Sequence, residues 1–275
     1  MAIKKIKPVG NGRRGTSYVD FSELSKVAGP KSLRSILTKK AGRNNSGKIT
    51  LSHRGGGSKR FYRLVNFGQL AEADAKVVAI EYDPNRSANI ALIEYKSGVQ
   101  DYVLASDKTK VGTILECGQN TAVKSGNRMP MKNIPVGTSV HNIELLPGQG
   151  GKLCRSAGNS ATLLSIDGDI AQIKLPSSEV RRVSALCFVS VGSVGNSDKM
   201  NISIGKAGRT RHMGIRPTVR GKAKNVVDHP HGGGEGGTSI GMPHPKTPWG
   251  MPALGYRTRN KKKKSKSMII KRRSV

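Results

Sequence analysis

Charge is crowded into the two ends of this chain, and that decides where a core can form. The 275 residues hold 48 Lys and Arg against 17 Asp and Glu, a formal net charge of +31. Residues 1–60 carry 15 basic and 2 acidic side chains, and residues 201–275 carry 18 and 2. Between them, residues 61–125 carry 7 and 8, and residues 126–200 carry 8 and 5. A near-neutral middle can fold in water. Two strongly basic flanks repel themselves and call for a polyanion. Nucleic acid suits that role, because each Lys or Arg docked on a phosphate releases condensed counterions.

The middle spans about 140 residues, enough for one medium core or two small barrels. Aromatic residues make up only 4% of the chain, so that core must be built from Val, Ile, Leu and Ala. The 34 glycines call for tight turns and close backbone approaches. Cys117, Cys154 and Cys187 are scattered, with no CxxC spacing, and read as reduced, buried thiols of a cytosol-like compartment. The opening MAIKKIKPVGNGRR has positive charge but no apolar run behind it, so no secretory signal is expected. No apolar stretch approaches the roughly 18 residues of a membrane span, and neither flank is an amphipathic helix with apolar anchors.

Local patterns in the middle predict strands. Val77–Asp83, Ala88–Tyr95, Val99–Ala105 and the short Thr113–Cys117 come first. Val140–Leu145, Ala161–Ile166, Asp169–Leu175 and Val180–Val191 follow. Asp83-Pro84-Asn85 and Ser97-Gly98 are turn signals, and Asp167-Gly168 is a hairpin signal. Many short strands at this spacing predict small antiparallel barrels or sandwiches. Asn127–Gly137, with two prolines, marks a boundary between two strand groups. In the first flank, Lys31–Lys40 predicts a helical turn or two and Lys48–Ser52 a short strand. The last 75 residues lose the strand pattern and are rich in Gly and Pro, so they are expected to order only against a partner.

Several residue groups invite chemistry. Asp228, His229, His231 and His244 resemble the start of a metal or catalytic site, but the surrounding glycines give no rigid support and no nucleophile is marked. Imidazoles that hydrogen-bond or stack within a backbone hugging RNA are the simpler reading. Gly55-Gly56-Gly57 before Lys59-Arg60 lacks the spacing of a nucleotide-binding loop. Phe61-Tyr62 offers either a stacking surface for RNA or the start of a barrel strand. Arg181 and Arg182 point to opposite faces of a strand, so at least one is exposed. Lys261–Lys264 is the least specific group.

Seven longer motifs narrow the choice. They are GRNNSGKIT (Gly42–Thr50), EYDPNRSANIALI (Glu81–Ile93), PMKNIPVGTSVHNIE (Pro130–Glu144), PGQGGKLCRSAG (Pro147–Gly158), GIRPTVRG (Gly214–Gly221), VVDHPHGGGEGG (Val226–Gly237) and TPWG (Thr247–Gly250). Together they resemble the second protein of the large ribosomal subunit, in its bacterial or organellar form. The resemblance runs from about Pro8 to Arg273.

The resemblance implies a mainly β fold. A basic N-terminal extension covers 1–59, an OB-like RNA-binding barrel 60–125 and a small SH3-like barrel 126–200. A basic Gly/Pro-rich extension over 201–275 threads into ribosomal RNA. The implied function is that of a structural constituent and primary binder of large-subunit ribosomal RNA, supporting subunit association and organisation of the peptidyl-transferase region. The RNA is the catalyst, so no catalytic residue, protein-bound metal or cofactor is expected, apart from Mg2+ held by the RNA.

Implied partners are large-subunit ribosomal RNA, other large-subunit proteins and the small subunit, with no membrane and no homo-oligomer. The implied location is the ribosome, in the cytoplasm or in an organelle matrix or stroma. The expected RNA-binding residues are Arg43, His53, Arg54, Lys59 and Arg60 in the first extension and Arg86 in the first barrel. Arg155 and Arg181 are expected in the second barrel, and Arg216, Arg220, His229, His231 and Lys246 in the last extension. The chain departs from the family pattern at Ser58, His212 and Gly237. Gly237 stands where a basic residue usually closes the HGGGEG motif, so one phosphate contact is either missing or supplied by Lys246. The rival reading is a non-specific nucleic-acid chaperone. A second rival is an enzyme using Asp228 and His229, such as a transferase.

Overall fold

A computed structural model describes residues 3–26, 29–68, 74–260 and 262–273. It is mainly β. The strands are β1 (Ile3–Lys5), β2 (Ser17–Val19), β3 (Arg34–Ile36), β4 (Phe61–Arg63), β5 (Ala75–Glu81), β6 (Ile90–Tyr95), β7 (Gln100–Leu104) and β8 (Ile114–Leu115). They continue with β9 (Arg128–Pro130), β10 (Ser139–His141), β11 (Ala161–Asp167), β12 (Ile170–Lys174), β13 (Val180–Ser184), β14 (Phe188–Val191) and β15 (Ile269–Lys271). Short helices α1 (Asn11–Arg14) and α2 (Ala207–His212) lie in the flanks.

The OB-like part is a four-stranded antiparallel sheet in the order β7-β6-β5-β8. Its β-branched strands bury Val77, Ala91, Ile93, Val103 and Leu115 on one side and Ile90, Leu92 and Tyr102 on the other. Asp83 builds the turn between β5 and β6. It is fully buried, its Oδ1 accepts the Asn85 N–H at 2.8 Å, and its Oδ2 pairs with Arg86 Nε at 2.7 Å. The strand pair β3-β4 belongs to the same body, since Leu33 and Val65 on its two sides pack on Tyr102 and its neighbours. Glu81 accepts from the Tyr102 hydroxyl at 2.9 Å and from the Gly29 N–H at 3.0 Å.

The SH3-like part contributes six strands to a sheet ordered β15-β13-β12-β11-β10-β14-β9. Its core is Met129, Met131, Ile134, Val140, Ile143, Leu163, Ile173, Cys187 and Val189 with their neighbours. The Asp167-Gly168 hairpin forms as expected, with Gly168 at φ 59° and Asp167 paired with Ile170.

Four local expectations need correction. Lys31–Lys40 gives a single 3-10 turn at Lys31–Leu33 and then strand β3, because β4 is there to pair with it. Lys48–Ser52 is reduced to one bridge, Arg43 to Ile49. Val180–Val191 is two strands, since the Ser184 hydroxyl and carbonyl accept from Leu186 and Cys187 and turn the chain from β12 toward β9. Of the three cysteines only Cys187 is fully buried, and none is in a disulfide. Two strands of the seven-stranded sheet carry no local signal. Strand β9 lies in the proline-containing Asn127–Gly137 stretch, where it pairs with β14. Strand β15 returns from the basic C-terminal flank to cover the edge of β13, where the Arg182 N–H reaches the Met268 carbonyl at 2.7 Å.

Two compact units result. The first takes in the described parts of Met1–Thr38, Lys59–Arg209 and Ser267–Val275, so both barrels fall within it. The joint between them is bonded repeatedly. Gly195 N donates to Ala105 O at 2.9 Å, Arg128 N donates to Glu116 O at 3.0 Å, and Asn196 Nδ2 donates to Ser87 O at 2.7 Å. The second unit is Lys39–Ser58 with Thr210–Lys266.

His141 sits in β10, 1% exposed, with Nδ1 against the Gly192 carbonyl at 3.0 Å. That geometry requires the proton on Nδ1, and burial pushes the ring's pKa down from 6.5 to about 4. The folded state therefore binds fewer protons than the unfolded chain between those values. Stability is complete above pH 6.5 and falls as pH drops toward 4, by about 3 kcal/mol from this group. His141→Leu should remove that part of the pH dependence in urea unfolding at pH 7 and pH 4. An unchanged pH dependence would refute the assignment.

Candidate nucleic-acid interface

In the first unit, a groove of about 740 Å3 is lined by Tyr62, Phe67, Arg86, Lys152, Arg155 and Asn159, among others. Phe67 is its centre. The Arg155 guanidinium stands 4.4 Å from the ring centroid and that of Arg86 5.4 Å. Both arginines are steered from behind, Arg86 by buried Asp83 and Arg155 by the Gly151 carbonyl at 3.2 Å. Arg60 donates to the Pro84 carbonyl at 3.0 Å, and Asn85 Nδ2 donates to the Phe61 carbonyl at 2.7 Å, tying β4 to the Asp83 turn. Cationic planes around an aromatic ring, in an open groove, suit phosphate and base surfaces together.

Phe61 and Tyr62 do begin a strand, yet both stay partly exposed, and Tyr62 faces the groove. Phe67 and Lys152 also line the groove, and neither belongs to the residues expected from the sequence. The signal for Phe67 was its rarity, since the chain has four phenylalanines. Lys59 is exposed. Arg181 lies inside the long sheet, half-buried between Ile173 and Ile269, and does not line this groove.

The second unit joins segments from both flanks. Gly55 N donates to Gly214 O at 3.0 Å, Ser58 N to His212 O at 2.9 Å and Arg216 N to His53 O at 3.0 Å. His53 adopts a left-handed φ of 61°, and its Nδ1 donates to the Pro217 carbonyl at 3.1 Å. Arg54 bridges to Ile215. Gly57 is required here, because a Cβ would stand 2.9 Å from Gly214 Cα in a backbone at φ 83°. Thus His53, Arg54 and Arg216 share one ladder, and Arg43, Arg54, Arg216 and Arg220 are all exposed.

The histidine loop is built around its rings. His229 is 9% exposed, and its Nδ1 accepts the His231 N–H at 3.0 Å. His231 Nε2 in turn accepts the Lys246 N–H at 2.8 Å, and the two ring centroids are 4.7 Å apart. The His229 pKa is lowered, first by desolvation and then by the nearby His231 and Lys224 charges. With the Nδ1 lone pair held by a backbone N–H, this ring is a neutral scaffold and cannot act as a base through that atom. Among the described residues no three His, Cys, Asp or Glu side chains converge on a metal position. At Gly237, the basic group that arrives is Lys222, whose Nζ donates to the Gly237 carbonyl at 3.3 Å. Lys246 is engaged through its backbone at His231.

The second unit carries 18 Lys and Arg against only Asp228 and Glu235. All four buried apolar clusters lie in the first unit, and His229 is the one fully buried side chain among the described residues of the second. Val227 and Trp249, the chain's single Trp, are 85% and 84% exposed. A unit with that charge and no apolar core depends on its partner for order.

Two family models match the chain. The Ribosomal Proteins L2, RNA binding N-terminal domain covers residues 30–117, and the Ribosomal Proteins L2, C-terminal domain covers 124–250. The first contains the Phe67–Arg86 side of the groove, and the second contains Arg155 and the histidine loop.

Gly221 lies against the His229 ring, where an added Cβ would come 2.5 Å from Cε1, whereas Gly237 has open space. Gly221→Ala should displace the ring and speed hydrogen exchange at the His231 amide. Gly237→Ala should leave it as it is. Equal exchange in the two variants would show that the ring does not hold the loop.

Proposed function

The chain belongs to the ribosomal protein L2 family, and we propose that it organises RNA within the large ribosomal subunit through two unlike surfaces. The family role is structural and RNA-binding, and the place of that role is the ribosome. In our reading the groove around Phe67 grips RNA with Arg60, Arg86 and Arg155. The coreless second unit folds onto RNA with Arg43, His53, Arg54, Arg216, Arg220, His229, His231 and Lys246. Lys59 and Arg181 add charge to the barrel body.

The observation that carries this reading is the second unit itself, with 18 basic side chains, two acidic ones and no buried apolar cluster among its described residues. A solvent-facing role would leave that charge uncompensated, and phosphate neutralises it. Exposed Trp249 and Val227 add surface for stacking and packing once water is excluded.

The finer parts of the reading extend the same physics. The histidine loop, with its rings engaged in backbone hydrogen bonds, would serve the peptidyl-transferase region as a spacer of RNA strands and not as a reactant. Neighbouring large-subunit proteins and the small subunit would meet the faces that RNA leaves free, supporting subunit association. The protein would be no enzyme, would bind no cofactor of its own, and would share only Mg2+ held by RNA. It would act as a single copy away from membranes, in a cytoplasmic or organellar ribosome.

Two measurements test the reading. A tagged copy should remain in the large-subunit peak of a sucrose gradient at raised salt; release to the top of the gradient would favour a diffuse polyanion binder. Arg216→Glu with Arg220→Glu should weaken binding to a large-subunit ribosomal RNA transcript by roughly tenfold and lower the salt slope by about two. Unchanged affinity and slope would remove these two residues from the interface.

A further inference from the structure

Among the described residues the most deeply buried ion pair is Arg128 with Glu144, and it lies against the backbone that follows Phe67. Arg128 and Glu144 are each 1% exposed, with Nη2 of one 2.8 Å from Oε1 of the other. A pair this deep in a small barrel is costly to desolvate and is often replaceable by apolar side chains without loss of stability. Its bonds therefore need a reason other than stability, and they lead one way.

Arg128 Nη1 donates to the Asn142 carbonyl at 3.0 Å. Asn142, held at a left-handed φ of 49°, donates through Nδ2 to the Phe67 carbonyl at 3.1 Å. The same carbonyl accepts the Gly151 N–H at 2.8 Å, and the Gly151 carbonyl accepts from Arg155 Nη1 at 3.2 Å. Glu144 Oε2 meanwhile accepts the Gly148 N–H at 3.1 Å and the Phe188 N–H at 3.1 Å, tying the loop that carries Gly151 to the start of β14. The backbone after Phe67 rests on the pair itself. A Cβ built at Gly68 would lie 2.9 Å from Glu144 Oε1 and 3.0 Å from Arg128 Nη2.

We propose that the Arg128–Glu144 pair is a positioning device for RNA recognition, setting Phe67 and Arg155 in register across the joint between the two barrels. This rests on the reading that the Phe67 groove contacts RNA. The pair touches no RNA. It acts through Asn142 and Gly151, which reach the Phe67 carbonyl from one side while Arg155 covers the ring from the other. Without it, loop 142–151 keeps the Gly151 bond to Phe67 but loses the hold of Arg128 on Asn142 and of Glu144 on Gly148, and the Arg155 guanidinium loses its place over the ring. The affinity gained from a guanidinium held in advance is then lost to the cost of ordering it on binding.

The test separates position from stability. Arg128→Met with Glu144→Leu replaces the pair by apolar side chains of similar size; because it also removes partners of the Asn142 carbonyl and the Gly148 and Phe188 N–H groups, binding is compared at a temperature where circular dichroism shows the full chain folded. Its affinity for a large-subunit ribosomal RNA transcript should nevertheless fall by about tenfold, with a salt slope smaller by about one. Asn142→Gly keeps the pair and the left-handed backbone while deleting the donor to Phe67, and should show the same loss. Adding Arg155→Ala to either variant should cost nothing further, because the contact is already absent. Wild-type binding by both variants, or a loss that adds in full to that of Arg155→Ala, would overturn the positioning role. If Arg155→Ala alone binds like wild type, the groove reading itself fails. If Arg155→Ala weakens binding while the pair variants do not, the groove stands and the positioning role falls.

Discussion

Apolar surface is the scarce quantity in this chain, and its distribution governs everything else. Hydrophobic residues make up 35% of the sequence, and the clusters they bury all lie in the unit that holds the two barrels. The hydrophobic effect can stabilise that unit in water. It does little for Lys39–Ser58 and Thr210–Lys266, where order comes from backbone hydrogen bonds and close glycine packing. Net hydrogen-bond contributions are modest, about 1 kcal/mol each, and are opposed here by the mutual repulsion of 18 cations. By this balance the first unit can fold in water, whereas the second has little beyond hydrogen bonds to set against its own charge.

Within the body, the joint between the barrels matters more than either barrel alone. Each sheet is a common small solution to burying β-branched side chains. The groove exists only because Phe67 from one barrel is clasped by Arg86 of its own barrel and Arg155 of the other. Buried polar groups do the joining: Asp83 behind Arg86, and Arg128 with Glu144 behind the loop that bears Arg155. Directional bonds can fix an angle between two bodies in a way that apolar contact, which is non-directional, cannot. Asp83, Arg128 and Glu144 are accordingly buried as deeply as the apolar core around them.

The legibility of the sequence follows the range of the interactions. Turns set by one residue's own chemistry were readable: Asp83 capping its Asx turn, Gly168 taking a positive φ in the hairpin, and the alternating Val and Ile of β5 and β6. Strands made by distant pairing were not. Strand β9 carries Pro130 and looked like a linker, yet it is an edge strand whose partner β14 lies 58 residues later at Pro130–Phe188. Strand β15 reads only as part of a basic tail, and β13 gives it structure. The site divides the same way. Arginines stand out in any sequence, so Arg86 and Arg155 could be named. That they meet over Phe67 depends on the folding of two barrels, and that His53 and Arg216 share a ladder depends on joining two flanks 163 positions apart.

The histidine loop shows how such a segment can be specific without being reactive. Its two imidazoles accept backbone N–H groups of His231 and Lys246, which in a glycine-rich segment would otherwise need water. At His229, desolvation and the neighbouring charges hold the pKa down, in keeping with an Nδ1 lone pair that accepts a backbone N–H. Lys222, bonded to the Gly237 carbonyl, brings one such charge to the point where the motif itself has none. The loop therefore separates two tasks that a lysine-rich tail would merge. Imidazoles and glycines set the path of the backbone, and the cations beside it stay partly exposed. In the proposed role, a loop built in that way would discriminate by shape before it discriminates by charge, which an ordered RNA surface rewards and a random polyanion does not.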